Sequence, residues 1–403
     1  MITVEEAEKT IQAELRDYGV EIMPFELTLG RVLAEDIKAD RDLPPFNRVT
    51  MDGIAVNYDA IENGVSSFHI KATQAAGDPP GVVHEPDHCI EIMTGAALPL
   101  SVDTVIRYED LEIRAGLASV LISPNHIKKG QNIHFQGRDK KQHDIVAESG
   151  QIISPAIISL VASVGETELR VKKMPRVVII SSGDELVEVE QIPLVYQIRR
   201  SNNYTVKAVL QQHGIEAAML HVPDDPEITK RLIQQCLLNY DVILLSGGIS
   251  MGKFDYIPKA LEELNVQQLF HKVEQRPGKP FWFGKHENGV VVFAFPGNPV
   301  ATFMCLHRYF LTWLQATLGL KPQPAAYAVL DRDFNFLPAL KYFLQVHLQV
   351  NESGQLMATP IEGNGSGDFA NLADTNAFME LPLEKNHFAK GEVYRVWMFK
   401  GLF

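Results

Sequence analysis

The sequence predicts a multidomain α/β plus β protein, with a central open, mostly parallel α/β domain, a β-rich insert before it and a small β-domain after it. From residue 176 to about 319, short unbroken apolar runs alternate with stretches of helical periodicity. Between Pro45 and about Gly137 the apolar runs are bounded by Gly and Pro, and the last 80 or so residues again read as extended segments. A chain of 403 residues suits roughly two to four domains of ordinary size.

Taken in order, Thr3 with Glu6 fits a capping box, and Ala7, Ile11 and Leu15 recur at helical spacing, so residues 3–19 read as a helix. In the insert, Phe68-His69-Ile70-Lys71-Ala72 alternates, and 117–122 is an apolar run between Gly116 and Pro124. A helix is expected near 155–164, then a basic hinge over 170–176 that contains Pro175. Residues 177–180, 241–245 and 290–295 read as strands buried on both faces, with a further strand over 217–222. Helices are expected over 204–213, from Asp225-Pro226 to Asn239, over 256–264, and from Pro299 to about Leu318. Residues 342–350 and 392–399 read as extended segments of the last domain.

Composition narrows the function. Fifty acidic against 37 basic side chains give a formal charge of -13, which disfavours a nucleic-acid or membrane-surface partner. Cys89, Cys236 and Cys305 lie far apart with no CxxC, unlike a disulfide scaffold or zinc ribbon. His84 and His88 resemble a metal pair only superficially, because Pro86 between them disfavours the helix that would align them. Met1-Ile2-Thr3-Val4-Glu5-Glu6 lacks signal-peptide character, and the apolar stretch 152–164 is short and interrupted by Pro155. A soluble cytoplasmic protein is the expectation.

Three glycine-containing turns directly follow the best strands: Ser181-Ser182-Gly183-Asp184-Glu185, Ser246-Gly247-Gly248-Ile249-Ser250 and Phe295-Pro296-Gly297-Asn298-Pro299. In open α/β sheets ligands bind beyond the carboxyl ends of strands, and glycine lets backbone N–H groups approach an anion. The hydroxyls of Ser181, Ser182, Ser246 and Ser250 add donors. Asp184, Glu185 and Asp255 would repel a phosphate unless a hard cation such as Mg²⁺ joined them; the alternative is that they cap helices or face water. Asp225 before Pro226 is open to a capping or a metal role. Gln275-Arg276-Pro277-Gly278-Lys279-Pro280 gathers two cations in a proline-stiffened turn suited to an oxyanion.

As an ordered set these motifs resemble the MoeA family of molybdopterin molybdenumtransferases, whose eukaryotic relative is the gephyrin E domain. The resemblance also rests on Pro44-Pro45-Phe46 with Met51-Asp52-Gly53, Met93-Thr94-Gly95-Ala96 with Pro99, Ser201-Asn202, and Asp255-Tyr256. It implies an elongated homodimer of four parts: a dimerising part (1–45 and 138–173), the β-rich insert (46–137), a molybdopterin-binding α/β domain (174–320) and a C-terminal β-barrel-like domain (321–403). The implied cleft lies between the α/β domain of one subunit and the insert of the other, so Asp52 and Thr94 would reach it from the partner chain. The implied reaction takes adenylylated molybdopterin and molybdate with a divalent cation, and releases AMP.

On this resemblance Asp52, Thr94, Glu185, Asp255 and Lys279 carry catalysis, and Glu185, Asp225 and Asp255 position the metal. Ser182, Gly183, Asp184, Ser201, Asn202, Gly247, Gly248, Ser250, Arg276, Pro296, Gly297, Pro299 and Ser366 hold the substrate. The chain departs from the family pattern at Val49, His134, Arg138, Arg200 and Arg276, where serine, arginine, an acid, aspartate and lysine are common. Of these, His134, Arg200 and Val49 motivate a competing reading, a non-catalytic molybdopterin-binding or scaffolding paralogue, which would bind pterin without releasing AMP. A molybdopterin adenylyltransferase is the third reading, and a separate adenylyltransferase is a partner the resemblance admits.

Overall fold

A computed structural model describes residues 1–249, 256–361 and 369–401 of the chain. The strands of its central sheet are β1 (Val177–Ser182), β2 (Ala218–Val222), β3 (Val242–Ser246), β4 (Gln267–His271), β5 (Trp282–Lys285) and β6 (Val291–Phe295). They lie in the order β2-β1-β3-β6-β5-β4. The β2-β1-β3-β6 run is parallel, while β5 is antiparallel to both β6 and β4.

Each of the apolar runs feeds two cores. Val177 and Ile179 of β1 face one hydrophobic cluster, Val178 and Ile180 the other. Val242 and Leu244 alternate with Ile243 and Leu245 in β3, and Val291 and Phe293 with Val292 and Ala294 in β6. Both faces are covered, so the strands carry no polar alternation. Full burial of each such side chain contributes about 1.5–3 kcal/mol.

The covering helices are α1 (Ser201–Gln212), α2 (Pro226–Asn239), α3 (Tyr256–Glu263) and α4 (Pro299–Cys305), the last continuing through a π-helical turn at Leu306–Phe310 into Leu311–Thr317. These agree with the expected elements to within a few residues. The pair β4 and β5 was not legible, because Pro280 and Gly284 break up the Phe281-Trp282-Phe283 run.

The N-terminal helix covers only Val4–Gln12, with the capping box of Thr3 and Glu6 formed as expected. It stops short of residue 19 because the Trp313 indole N–H donates to the Glu14 carbonyl and Lys285 pairs with the Glu14 carboxylate. Val4, Ala7 and Ile11 pack into the central core. The expected basic hinge is in part a strand, Glu168–Lys172, antiparallel to Val20–Pro24. Leu169 and Val171 are buried while Arg170 faces out, a period-2 pattern hidden by the charge.

The insert forms a six-stranded sheet containing Gly53–Val56, Ser67–Gln74, His88–Ile92 and Leu117–Val120. In the C-terminal region Lys341–Val350, Leu356–Pro360, Ala326–Leu330, Val393–Met398 and Ala377–Leu381 close into a five-stranded barrel, since the first also pairs with the last.

Candidate active site

Register brings the three turns together. Ser181 lies opposite Ser246, and Ser246 opposite Phe295, so β1, β3 and β6 end at one level. Beyond that edge is a cavity of about 110 Å³ whose lining includes Ser182, Glu185, Ser201, Asn202, Gly247, Gly297 and Pro299. Gly248 holds a left-handed φ of 67°, and a Cβ there would stand 2.2 Å from the Ser182 hydroxyl oxygen, so a side chain at this position would be strained and would displace Ser182.

Asn202, in the first turn of α1, joins the loops. Its Nδ2 donates to Ser246 Oγ at 2.8 Å and to the Gly297 carbonyl at 2.8 Å. The turn after β6 is fixed in the same way, with Asn298 capping α4 through the Ala301 amide and Thr302 Oγ1 donating to the Pro296 carbonyl at 2.6 Å. The helix N-termini of α1 and α4 therefore face the cavity with their positive ends.

Not every candidate faces the cavity. Ser181 does line it, but it is buried, accepts from Asn203 Nδ2 at 3.1 Å and sits 3.2 Å from His221 Nδ1. Burial first, then the nearby Arg200 guanidinium, hold the His221 imidazole below its ordinary range. Gly183 and Asp184 belong to the turn but point toward the loop after β2, where the Asp184 and Asp224 amides donate to each other's carboxylates at 3.4 and 3.2 Å. Asp225 Oδ1 caps α2 through the Ile228 amide at 2.8 Å. Among the described residues no three His, Cys, Asp or Glu side chains cluster as metal ligands.

Arg276 and Lys279 are exposed and lie outside the cavity lining. Buried Gln275 braces their turn, donating to the Gly278 carbonyl at 3.1 Å and accepting from the Tyr309 hydroxyl. Gln275–Arg276 also adds to the C-terminal barrel alongside Lys341 and Tyr342, which places the Arg276 guanidinium 5.7 Å from the Phe336 ring centroid. Ser250, Asp255 and Ser366 lie outside the described residues.

Asp52 and Thr94 meet each other in the insert. The Thr94 amide donates to Asp52 Oδ1 at 2.6 Å, which holds this exposed carboxyl below the usual range. Gly53 next to it passes so close to the neighbouring strand that a Cβ would stand 1.9 Å from the Ile106 oxygen. Among the described residues no hydrogen bond or ion pair links Asp52 or Thr94 to the cavity of the same chain. His134 bridges Arg48, at 3.1 Å from Nδ1, and Asp139, at 2.9 Å from Nε2. Arginine only donates, so Nδ1 accepts and the Nε2–H donates to Asp139.

Three family profiles match the chain in order: "MoeA N-terminal region (domain I and II)" over residues 2–165, "Probable molybdopterin binding domain" over 178–316, and "MoeA C-terminal region (domain IV)" over 327–399. A protein named molybdopterin molybdenumtransferase from Synechocystis sp. is 39% identical, the alignment covering 98% of this chain and 99% of that one. The chain belongs to the MoeA family of molybdopterin molybdenumtransferases. A second MoeA-family relative with that name, from Haemophilus influenzae, is 30% identical over the full length of both chains. The crystal structure of the molybdopterin biosynthesis MoeA protein from Pyrococcus horikoshii superposes with a TM-score of 0.83 at 27% identity, covering 100% of both chains.

The cavity also has lining residues that the sequence reading passed over, Arg199 and Asn203, and one it noted only as a departure, Arg200. Glycine marks turns, but nothing in the Ile198-Arg199-Arg200-Ser201-Asn202-Asn203 string marks the short strand Ile198–Arg199 that turns these side chains toward the sheet edge.

Proposed function

We propose that this chain transfers molybdenum from molybdate to molybdopterin, taking the pterin in its adenylylated form and releasing AMP. The observation that carries this is the cavity at the aligned ends of β1, β3 and β6, edged by two glycine turns, serine hydroxyls and helix N-termini, in a chain of the MoeA family. The Gly247 and Gly297 turns and Ser182 and Ser201 hold the diphosphate, while Arg276 and Lys279 attract molybdate and offset charge on the phosphoryl oxygens. Two dithiolene thiols displace two molybdate oxygens, which leave as two waters carrying the two thiol protons and two protons from solvent, without change of oxidation state. One water cleaves the phosphoanhydride and leaves its oxygen on a phosphate.

Mg²⁺ takes one or two carboxylates beside ligand oxygens, and Glu185 offers such a carboxylate at the cavity. Asp255 and Asp225 join it in this reading, with one Asp225 oxygen engaged as the α2 cap. When bound, the cation neutralises developing phosphoryl charge. Ser250 and Ser366 complete the ligand contacts in this reading.

The four-part division and a homodimer belong to the same proposal. Val20, Ile22, Ile152 and Leu160 are exposed apolar side chains in the segments 1–45 and 138–173, supporting a subunit interface there. Pairing through that face would carry Asp52 and Thr94 to the partner's cavity. A separate adenylyltransferase supplies the substrate in the cytoplasm. Purified protein with Mg²⁺ and adenylylated molybdopterin is expected to release AMP when molybdate is added, and Lys279→Ala to slow release by about 10- to 150-fold. No AMP release, or turnover indifferent to both Lys279→Ala and Glu185→Gln, would remove the proposal.

A further inference from the structure

The cavity holds a guanidinium that the glycine turns do not account for. Arg200 lines it with a side chain only 10% exposed. Of the five N–H donors a guanidinium carries, Nη2 is engaged by the Glu188 carboxylate, and this is its side-chain hydrogen bond among the described residues. Glu188 is 48% exposed and sits at the rim. A nearly buried cation is thus matched by a carboxylate that water reaches, an arrangement in which the partner is exchangeable while the cation is not. Desolvation of Glu188 costs little to reverse, whereas Arg200 without any anion would be left uncompensated.

The surroundings favour exchange at this point. Arg200 is the N-cap residue of the 12-residue helix α1 and lies beside Ser201 and Asn202. Asn203, 2% exposed and lining the same cavity, donates through Nδ2 to Ser181 while its Oδ1 has no hydrogen-bond partner. The open Asn203 acceptor suits a donor group of a ligand, and the rim-paired, nearly buried arginine suits an anion of the same ligand. Moving Glu188 away does not require the loop that carries it to unfold. Arg199 holds that loop separately, its Nε donating to the carbonyls of Val189 at 2.9 Å and Gln191 at 3.2 Å.

We infer that Arg200 is a further anion-binding residue of the cavity, receiving a phosphoryl group of a diphosphate-bearing ligand in exchange for Glu188, which occupies the guanidinium until the ligand arrives. This rests on the proposed reading of the cavity as a diphosphate site. It makes ligand and Glu188 competitors, so the two partners of one ion pair have opposite effects on binding. A purely structural ion pair has effects of the same sign.

Inorganic diphosphate titrated into the full chain by calorimetry separates these cases. Arg200→Ala is expected to weaken binding by roughly tenfold or more, the scale of one charge-assisted hydrogen bond, with Arg200→Lys recovering part of it. Glu188→Gln is expected to tighten binding in the wild-type background and to change it less than about twofold when Arg200 is alanine. If Glu188→Gln and Arg200→Ala weaken binding alike, the inference is overturned. Asn202→Ala distinguishes the remaining failures. Diphosphate binding that responds to Asn202→Ala but not to Arg200 or Glu188 variants leaves the cavity reading standing and removes this inference. Binding that responds to none of the three, or no binding at all, removes both.

Discussion

Replacing Asn202 by alanine strikes the point where three loops are tied together. The amide nitrogen donates one hydrogen bond to Ser246 Oγ and one to the Gly297 carbonyl, each at 2.8 Å. At about 1 kcal/mol per intramolecular hydrogen bond, losing both releases about 2 kcal/mol of preorganisation from the turns after β3 and β6. The Gly297 carbonyl can turn to water at the cavity, so the loss falls on loop placement more than on global stability. Two kcal/mol corresponds to about 30-fold weaker ligand binding. Asn202→Asp keeps the size but sets a carboxylate oxygen against the Gly297 carbonyl, so it is expected to bind no better than alanine. Calorimetric titration with adenylylated molybdopterin, together with far-ultraviolet circular dichroism to verify the fold, measures this. Affinity within about twofold of wild type for both variants would show that the Asn202 amide does not organise the binding loops.

Three further outcomes follow from other contacts. His307, its Nδ1–H donating to the Phe303 carbonyl at 2.9 Å, has its pKa pushed down to about 4, chiefly by burial. Between that value and the ordinary 6.5 the unfolded chain binds a proton that the native chain does not, so stability falls on acidification through this window by up to about 3 kcal/mol. Thermal midpoints from pH 7 to 4 are expected to fall less steeply in His307→Gln than in wild type, and parallel curves would refute this. Arg308, 3% exposed, pairs with Glu8 at 2.6 Å and lies 4.0 Å from the Trp397 ring centroid, fastening the first helix to the core and barrel. Glu8→Gln is expected to cost about 1–3 kcal/mol in denaturant unfolding, and much less when Arg308 is already methionine. Finally, mixing Asp52→Asn and Asn202→Ala chains after joint refolding, assayed at substrate concentrations well below the affinity of the weakened Asn202→Ala cleft, is expected to restore about a quarter of wild-type AMP release, because half the dimers pair unlike chains and each has one intact cleft. No restoration would place Asp52 outside the partner's cleft.

The central sheet was legible because its strands are buried on both faces, and an unbroken run such as Val177-Val178-Ile179-Ile180 admits few other readings. Two of the three turns were legible because positive backbone angles at Gly183, Gly247 and Gly248 demand glycine, whereas Gly297 has no such angle and lies close to Gly247. What joins them was not. Asn202 reaches partners 44 and 95 residues away, and no local pattern marks such contacts. Arg200 drew notice only as a family departure, and its place in the cavity depends on Leu186–Val187 pairing with Ile198–Arg199 across an intervening loop. The proline-stiffened turn marked Arg276 and Lys279 as a pair of cations, but not the approach of Arg276 to Phe336, which depends on strand pairing with Lys341 and Tyr342 of the C-terminal barrel. The strand Glu168–Lys172 was hidden by its basic residues, although Leu169 and Val171 carry the alternation. Asp52 and Thr94 entered through family resemblance alone, since nothing in their spacing along the chain links them to the glycine turns.

The most direct measurement is a crystal structure of the chain with adenylylated molybdopterin bound. The account predicts diphosphate oxygens within hydrogen-bonding distance of the Gly247 and Gly297 turns, at the edge where β1, β3 and β6 end. A ligand seated with its diphosphate against any other face of the molecule would contradict it.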